Sequence, residues 1–122
     1  MPQSDVYLGN PNLKKANTEI QFTEENVKEF LKCKDDPVYF ARQYIKIVNV
    51  DEGLVPFTMW PFQEKLIKNF HKNRFNICMM PRQTGKSTTS VSYLLHYAIF
   101  NDNINIGILA NKAATARDLL GR

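Results

Sequence analysis

Met80-Pro81-Arg82-Gln83-Thr84-Gly85-Lys86-Ser87 carries the residue types of a phosphate-binding loop. An apolar run over 75–79 leads into it, and Val91, Leu94, Leu95, Ala98 and Ile99 follow at helical spacing. Strand, loop and helix in that order are the setting such a loop requires. A glycine at 85 lets the backbone approach a ligand with no side chain in the way. The amides of Thr84, Gly85, Lys86 and Ser87 then face an anion from the positive end of the following helix. Lys86 offers a compact cation for the β- and γ-phosphates of ATP, and the Ser87 hydroxyl is a ligand for Mg2+. The general pattern Gly-x-x-x-x-Gly-Lys-Ser/Thr has its first glycine where this chain has Met80. A lysine-bearing turn between strand and helix is the plainer alternative.

Downstream, Asn101-Asp102-Asn103 is a polar break, and 104–110 is a second continuous apolar strand in which Gly107 permits close packing. Strand, helix and strand make a βαβ unit, whose strands run parallel through a right-handed crossover. The fold class expected is therefore α/β, a helicase-like P-loop NTPase built on a parallel sheet. Such sheets need several strands with both faces covered. With two strands here, the fold reads as truncated after its first βαβ unit. Asn111 is placed to cap a last helix containing Ala113, Ala114, Ala116, Leu119 and Leu120.

Upstream, Pro61 suits the first turn of a helix running to about His71. Phe62, Leu66 and Phe70 recur every four residues and are expected to face the core. Lys65, Lys68 and Lys72 share another face, which serves equally as a solvated face or as one turned to DNA or a partner. The carboxamide of Gln63 can donate to and accept from adenine at once; a surface or capping role is open to it as well.

Before that helix, 45–50 and 54–57 read as two strands around Asp51-Glu52-Gly53, the glycine supplying a positive φ and Pro56 an edge position. Thr23 is placed to cap a helix bearing Val27, Phe30 and Leu31 as its apolar stripe. Asp36-Pro37 then caps and opens a short helix on which Phe40 and Tyr44 stack one turn apart. Residues 1–20 are polar and punctuated by Pro2 and Gly9-Asn10-Pro11, an arm that is either disordered or laid on another surface. Three regions result: an arm over 1–20, a helical and hairpin lead-in over 21–58, and the start of an ATPase domain over 59–122.

Composition narrows the class. The 122 residues fit one domain, and 43% apolar with 11% aromatic residues support a packed core. A net charge of +4 permits contact with nucleic acid without demanding it. Of the two cysteines, Cys78 lies in the apolar run and is expected to be buried. Cys33 lies in a lysine-rich helix where exposure is open to it. Their spacing does not suggest zinc, and reduced thiols fit a cytosolic setting. Met1-Pro2-Gln3-Ser4-Asp5 opens no secretory signal, and no apolar run is long enough to span a bilayer. A soluble intracellular protein is expected.

At this point the chain resembles a known family, the large terminase subunit of tailed phages, in particular the myovirus type. Gly9-Asn10-Pro11-Asn12-Leu13-Lys14-Lys15 resembles the segment before its ATPase domain, and Asp36-Pro37-Val38-Tyr39-Phe40-Ala41 the helix that follows. Phe62-Gln63 is similar to the adenine-binding motif. Arg82-Gln83-Thr84-Gly85-Lys86-Ser87-Thr88 is similar to the family's variant phosphate loop, which also lacks the first glycine. Ile106-Gly107-Ile108-Leu109-Ala110-Asn111-Lys112 resembles the strand and loop after it.

The resemblance implies an ATP-driven motor that packages double-stranded viral DNA into the capsid through the portal protein. It implies a small terminase subunit as partner, a homo-oligomeric ring for the full-length protein, and a place in the host cytoplasm at the capsid portal. Carried over by residue, Gln63 contacts adenine, Lys86 and Ser87 serve the phosphates and Mg2+, and Arg82 senses or stabilises the γ-phosphate. Gln83, Thr84, Gly85 and Thr88 complete the nucleotide-binding set, with Arg82 and Lys86 as the catalytic pair. A guanidinium inside the loop can neutralise charge on a transferred phosphoryl group, and a structural ion pair is its plainer use. Lys112 falls near where related motors touch DNA.

The second acidic motif of such motors and the nuclease carboxylates are absent from these residues, so little ATPase activity is expected of this chain alone. Another DNA motor such as a helicase, and a non-catalytic nucleotide- or partner-binding module, are the competing functions.

Overall fold

The computed structural model describes residues 6–121. The first five residues of the expected arm, and Arg122, lie outside the described residues.

Two polar caps start the first two helices where the sequence places them. α1 (Glu24–Asp35) opens with Thr23 Oγ1 accepting from the Asn26 N–H at 3.3 Å, and Glu24 and Glu25 lie in its first turn against the helix dipole. α2 (Pro37–Tyr44) opens with Asp36 Oδ1 accepting from the Val38 and Tyr39 N–H groups at 3.0 and 3.1 Å. Glu29 ties the two helices together, accepting from Tyr39 Oη at 2.7 Å and Tyr44 Oη at 2.9 Å. Those bonds favour the carboxylate and the neutral phenols. The Glu29 pKa is accordingly lowered, and that of Tyr39 is pushed up to about 12.

β1 (Lys46–Asn49) and β2 (Gly53–Pro56) pair antiparallel, with Lys46 opposite Pro56 and Asn49 opposite Gly53. Gly53 has φ +75°, the left-handed conformation a tight hairpin needs. α3 (Pro61–Lys72), α4 (Lys86–Phe100) and α5 (Ala113–Leu120) follow, and a short 3-10 turn over Tyr7–Gly9 precedes all of these elements. Val38 and Ala41 of α2, Phe57 and Met59 after the hairpin, and Ile67 of α3 form the buried cluster, with Ile45, Ile47 and Tyr93 packed against it.

The expected helicase-like P-loop class with a parallel sheet is not what the chain forms. Among the described residues the sheet has two strands, β1 and β2, and it is antiparallel. The runs 75–79 and 104–110 are irregular, so the βαβ unit is absent. An apolar run becomes a strand only when neighbouring backbone takes up its N–H and C=O groups. Here neither run meets one, and Phe75, Ile77, Met79 and Leu109 are 83%, 95%, 93% and 98% exposed. Among the described residues the chain is a helical assembly carrying one two-stranded sheet. No helix among the described residues is long and apolar enough to cross a membrane.

Burial also departs from the apolar pattern in detail. α3 buries Gln63, Leu66 and Ile67, while Phe62 is 44% exposed and Phe70 half-buried. α4 buries Thr89, Ser92 and His96 instead of its aliphatic stripe. Thr89 Oγ1 and Ser92 Oγ donate to the carbonyls of Gly85 and Thr88, both at 2.8 Å, so these small polar residues tolerate burial. Cys78, expected to be buried, is exposed because 75–79 has no sheet to join, while Cys33, whose exposure was open, is the one buried residue of α1. α5 follows Lys112 with no capping side chain, so Asn111 is not its cap.

His96 links α4 to α1. It is 3% exposed, its Nε2 lies 2.8 Å from the Cys33 carbonyl oxygen, and its ring packs on Phe40 and Phe100 with centroids 5.4 and 4.7 Å away. Nε2 therefore donates, and Nδ1 is buried without a partner. Burial lowers the His96 pKa below the ordinary 6.5, outweighing the hydrogen bond to Cys33, which raises it. A depressed histidine pKa contributes stability above the unfolded value that is lost as pH falls through the folded one. The urea midpoint should hold steady from pH 8 to about 6.5 and decline below it. His96→Phe should flatten part of that decline, and an unchanged profile in this variant would count against the assignment.

Candidate phosphate-binding loop

Residues 81–85 form a turn that ends on Gly85, the residue preceding α4. Thr84 Oγ1 donates to the Pro81 carbonyl at 2.9 Å and closes the turn from inside. Gln83 and Gly85 both take the left-handed conformation, with φ +61° and +72°. For glutamine this conformation is strained by about 1–2 kcal/mol, a load the surrounding turn must hold. Gly85 has no side chain with which to cap α4, so the first-turn amides of the helix are not covered by one. They are oriented along the helix axis with the positive end of the dipole behind them.

Lys86 is the first residue of α4, and its Nζ folds back to donate to the Met80 carbonyl at 3.2 Å. The ammonium thus bridges the mouth of the loop while the residue remains exposed. Ser87, half-buried, shares with Lys86 the wall of a cavity of about 250 Å³ that Cys78, Val91, Leu94 and Ile108 also line. Thr88 faces elsewhere, into a cavity with Tyr44, Ile45 and Lys46. Arg82 and Gln83 are exposed on the turn, and among the described residues no carboxylate forms an ion pair with Arg82. The one ion pair found there joins Arg42 of α2 to Glu64 of α3.

Gln63 is where the structure adds most. It is 5% exposed and both ends of its carboxamide are engaged. Oε1 accepts from the Trp60 N–H at 2.9 Å, capping α3. Nε2 donates to the Thr84 carbonyl at 3.1 Å, tying α3 to the loop across the interior. A Cβ at Gly85 would stand 2.5 Å from that Nε2, so glycine is required here for space as well as for φ. The capping half was legible, since glutamine three residues after a helix cap is a known signature. The tether to Thr84 had no local signal.

The donor set suits a phosphate: an ammonium, backbone amides at a helix head and a hydroxyl, with no acidic side chain in the turn itself. For Mg2+ it supplies one hydroxyl, Ser87, with phosphate and water oxygens needed for the rest. Among the described residues no group of three or more metal-ligating side chains is gathered. Of the residues expected to serve a nucleotide, Gln63 touches Thr84 and Gly85, Lys86 and Ser87 share one cavity wall, Arg82 and Gln83 are exposed on the turn, and Thr88 lines a different cavity. No protein-family model matches the chain.

Proposed function

We propose that the loop binds the triphosphate of ATP with Mg2+, and that the chain is the ATP-binding N-terminal part of a terminase large subunit. Its role is then to couple nucleotide to the packaging of double-stranded viral DNA, acting with the portal protein and a small terminase subunit in the host cytoplasm. The full-length motor would work as a homo-oligomeric ring. The observation that carries the nucleotide half is the left-handed Gly85 at the head of a 15-residue helix, with the Lys86 ammonium drawn across the loop. The terminase half is supported by the likeness of the quoted motifs.

In this reading the amides of the first turn and Lys86 hold the phosphate oxygens, and Ser87 contributes its hydroxyl to the cation. Arg82, unpaired by any described carboxylate, is available to a γ-phosphate. Gln63 either holds the loop through Thr84 or turns its carboxamide to adenine, because one amide group cannot fully serve both.

Calorimetric titration of Mg-ATP into the chain tests this. Lys86→Ala should weaken affinity by about 10- to 150-fold, the worth of one charge-assisted hydrogen bond of ~1.5–3 kcal/mol. Its melting temperature should stay put, because Lys86 is exposed and its single bond goes to a surface carbonyl. Equal affinity in the variant and the parent sinks the proposal and favours a loop without a nucleotide. No aspartate–glutamate motif follows an apolar strand in these residues, so steady-state phosphate release should not exceed the Lys86→Ala level.

A further inference from the structure

A groove of about 470 Å³ runs between the C-terminal end of α3, with the chain leaving it, and one face of α4. None of the phosphate-loop residues lines it. Its floor is a row of rings: Phe70 lies 5.6 Å from Tyr93, and Tyr93 lies 6.3 Å from Tyr97, centroid to centroid. His71 meets Tyr93 edge-on at 6.2 Å, which holds the middle ring in place. Lys72 and Arg74 stand exposed at the edge, and the Arg74 guanidinium sits 5.2 Å over the Phe75 ring. No carboxylate among the described residues lines the groove.

Rings on the floor and cations on the rim fit a ligand with flat, unsatisfied π faces joined to negative charge. We propose that this groove binds single-stranded nucleic acid, a base stacking on the Tyr93–Tyr97 ledge while its flanking phosphates meet Lys72 and Arg74. Stacking needs a base whose face is free, which a duplex does not offer along its length. Cations alone would take any polyanion; the aromatic floor selects the single strand. Lys68, one turn before Lys72 on the same side of α3, extends the positive track. The site is separate from the nucleotide loop and does not depend on it.

Fluorescence anisotropy with a labelled oligothymidylate of about 12 nucleotides, within the site sizes of single-strand binders, tests the proposal on the 122-residue chain. Replacing Lys72 and Arg74 together by alanine should lower affinity about 10-fold or more and reduce the salt slope by ~1.4, two single-strand phosphate contacts. The matched control Lys14→Ala with Lys15→Ala removes the same charge outside the groove and should change affinity by no more than about 2-fold. Tyr97→Ala should cost about 5- to 150-fold, Tyr97→Leu nearly as much with the bulk retained, and Tyr97→Phe should bind like the parent. Equal losses for the two cation pairs, or parental binding by both Tyr97→Ala and Tyr97→Leu, would reduce the effect to diffuse charge and overturn the proposal. A duplex of the same length binding as tightly as the single strand would overturn it too, as would thymidine monophosphate displacing the strand mole for mole.

Discussion

Gly85→Ala should destabilise the protein by about 2–5 kcal/mol and abolish the proposed Mg-ATP binding in the same molecule. Two terms add. Alanine held at φ +72° bears about 1–2 kcal/mol of left-handed strain that glycine does not. Its Cβ would also stand 2.5 Å from Gln63 Nε2, and the glutamine must move. A flexible, exposed glutamine would swing aside at little cost. This one is 5% exposed and bonded at both ends, so retreat gives up the bond to Thr84, the bond to Trp60, or both. Each lost bond leaves a buried polar group unsatisfied, worth about 1–3 kcal/mol.

Urea denaturation of the two single variants and the double variant separates the terms. In a Gln63→Ala background the clash is gone, and Gly85→Ala should then cost only the strain of about 1–2 kcal/mol. Additive costs in that cycle would mean that Gln63 does not restrain the loop. Binding should fail because a displaced loop no longer aims its amides together, and this loss should persist at temperatures where the variant is fully folded.

Ile67→Ala should cost about 2–5 kcal/mol, the range for emptying a fully buried aliphatic site. Ile67 is 0% exposed and belongs to the buried cluster of Val38, Ala41, Phe57 and Met59. It therefore holds α3 against α2 and the end of the hairpin together. Ile67→Val should cost about 0.5–1.5 kcal/mol, and Val50→Ala, at a residue 100% exposed, under ~0.5 kcal/mol. A loss under about 1 kcal/mol for Ile67→Ala would show that the cluster is not the centre of the fold. α3 also carries Gln63, so loosening its seat should show up as faster amide exchange in the turn over 81–85 before the global transition.

How much of this was legible follows from the range of the interactions. Thr23, Asp36-Pro37, Gly53 and Gly85 were readable because each acts within a few residues: a hydroxyl or carboxylate on a first-turn amide, a ring that presets φ, a missing Cβ where φ is positive. The loop's composition was readable for the same reason. Cys78 is exposed against expectation, and Cys33 settled on the buried side, because burial depends on what packs against a segment, and that is not written beside it.

The parallel sheet was expected from hydrophobic runs at 75–79 and 104–110, yet hydrophobicity supplies only half of a strand. The other half is a hydrogen-bonding neighbour, and among the described residues those runs have none. Likewise the burial of Thr89, Ser92 and His96 in place of Leu95 and Ile99 reflects how closely α4 approaches its neighbours, a property of the assembled helices. Local chemistry, then, was enough to place the helix starts, the hairpin turn and the glycine at the head of α4. Which face of α4 lies inside, and that Gln63 reaches Thr84 across 21 residues of chain, emerged only when α3 and α4 packed together, because a 3.1 Å contact between distant segments depends on every element that brings them there.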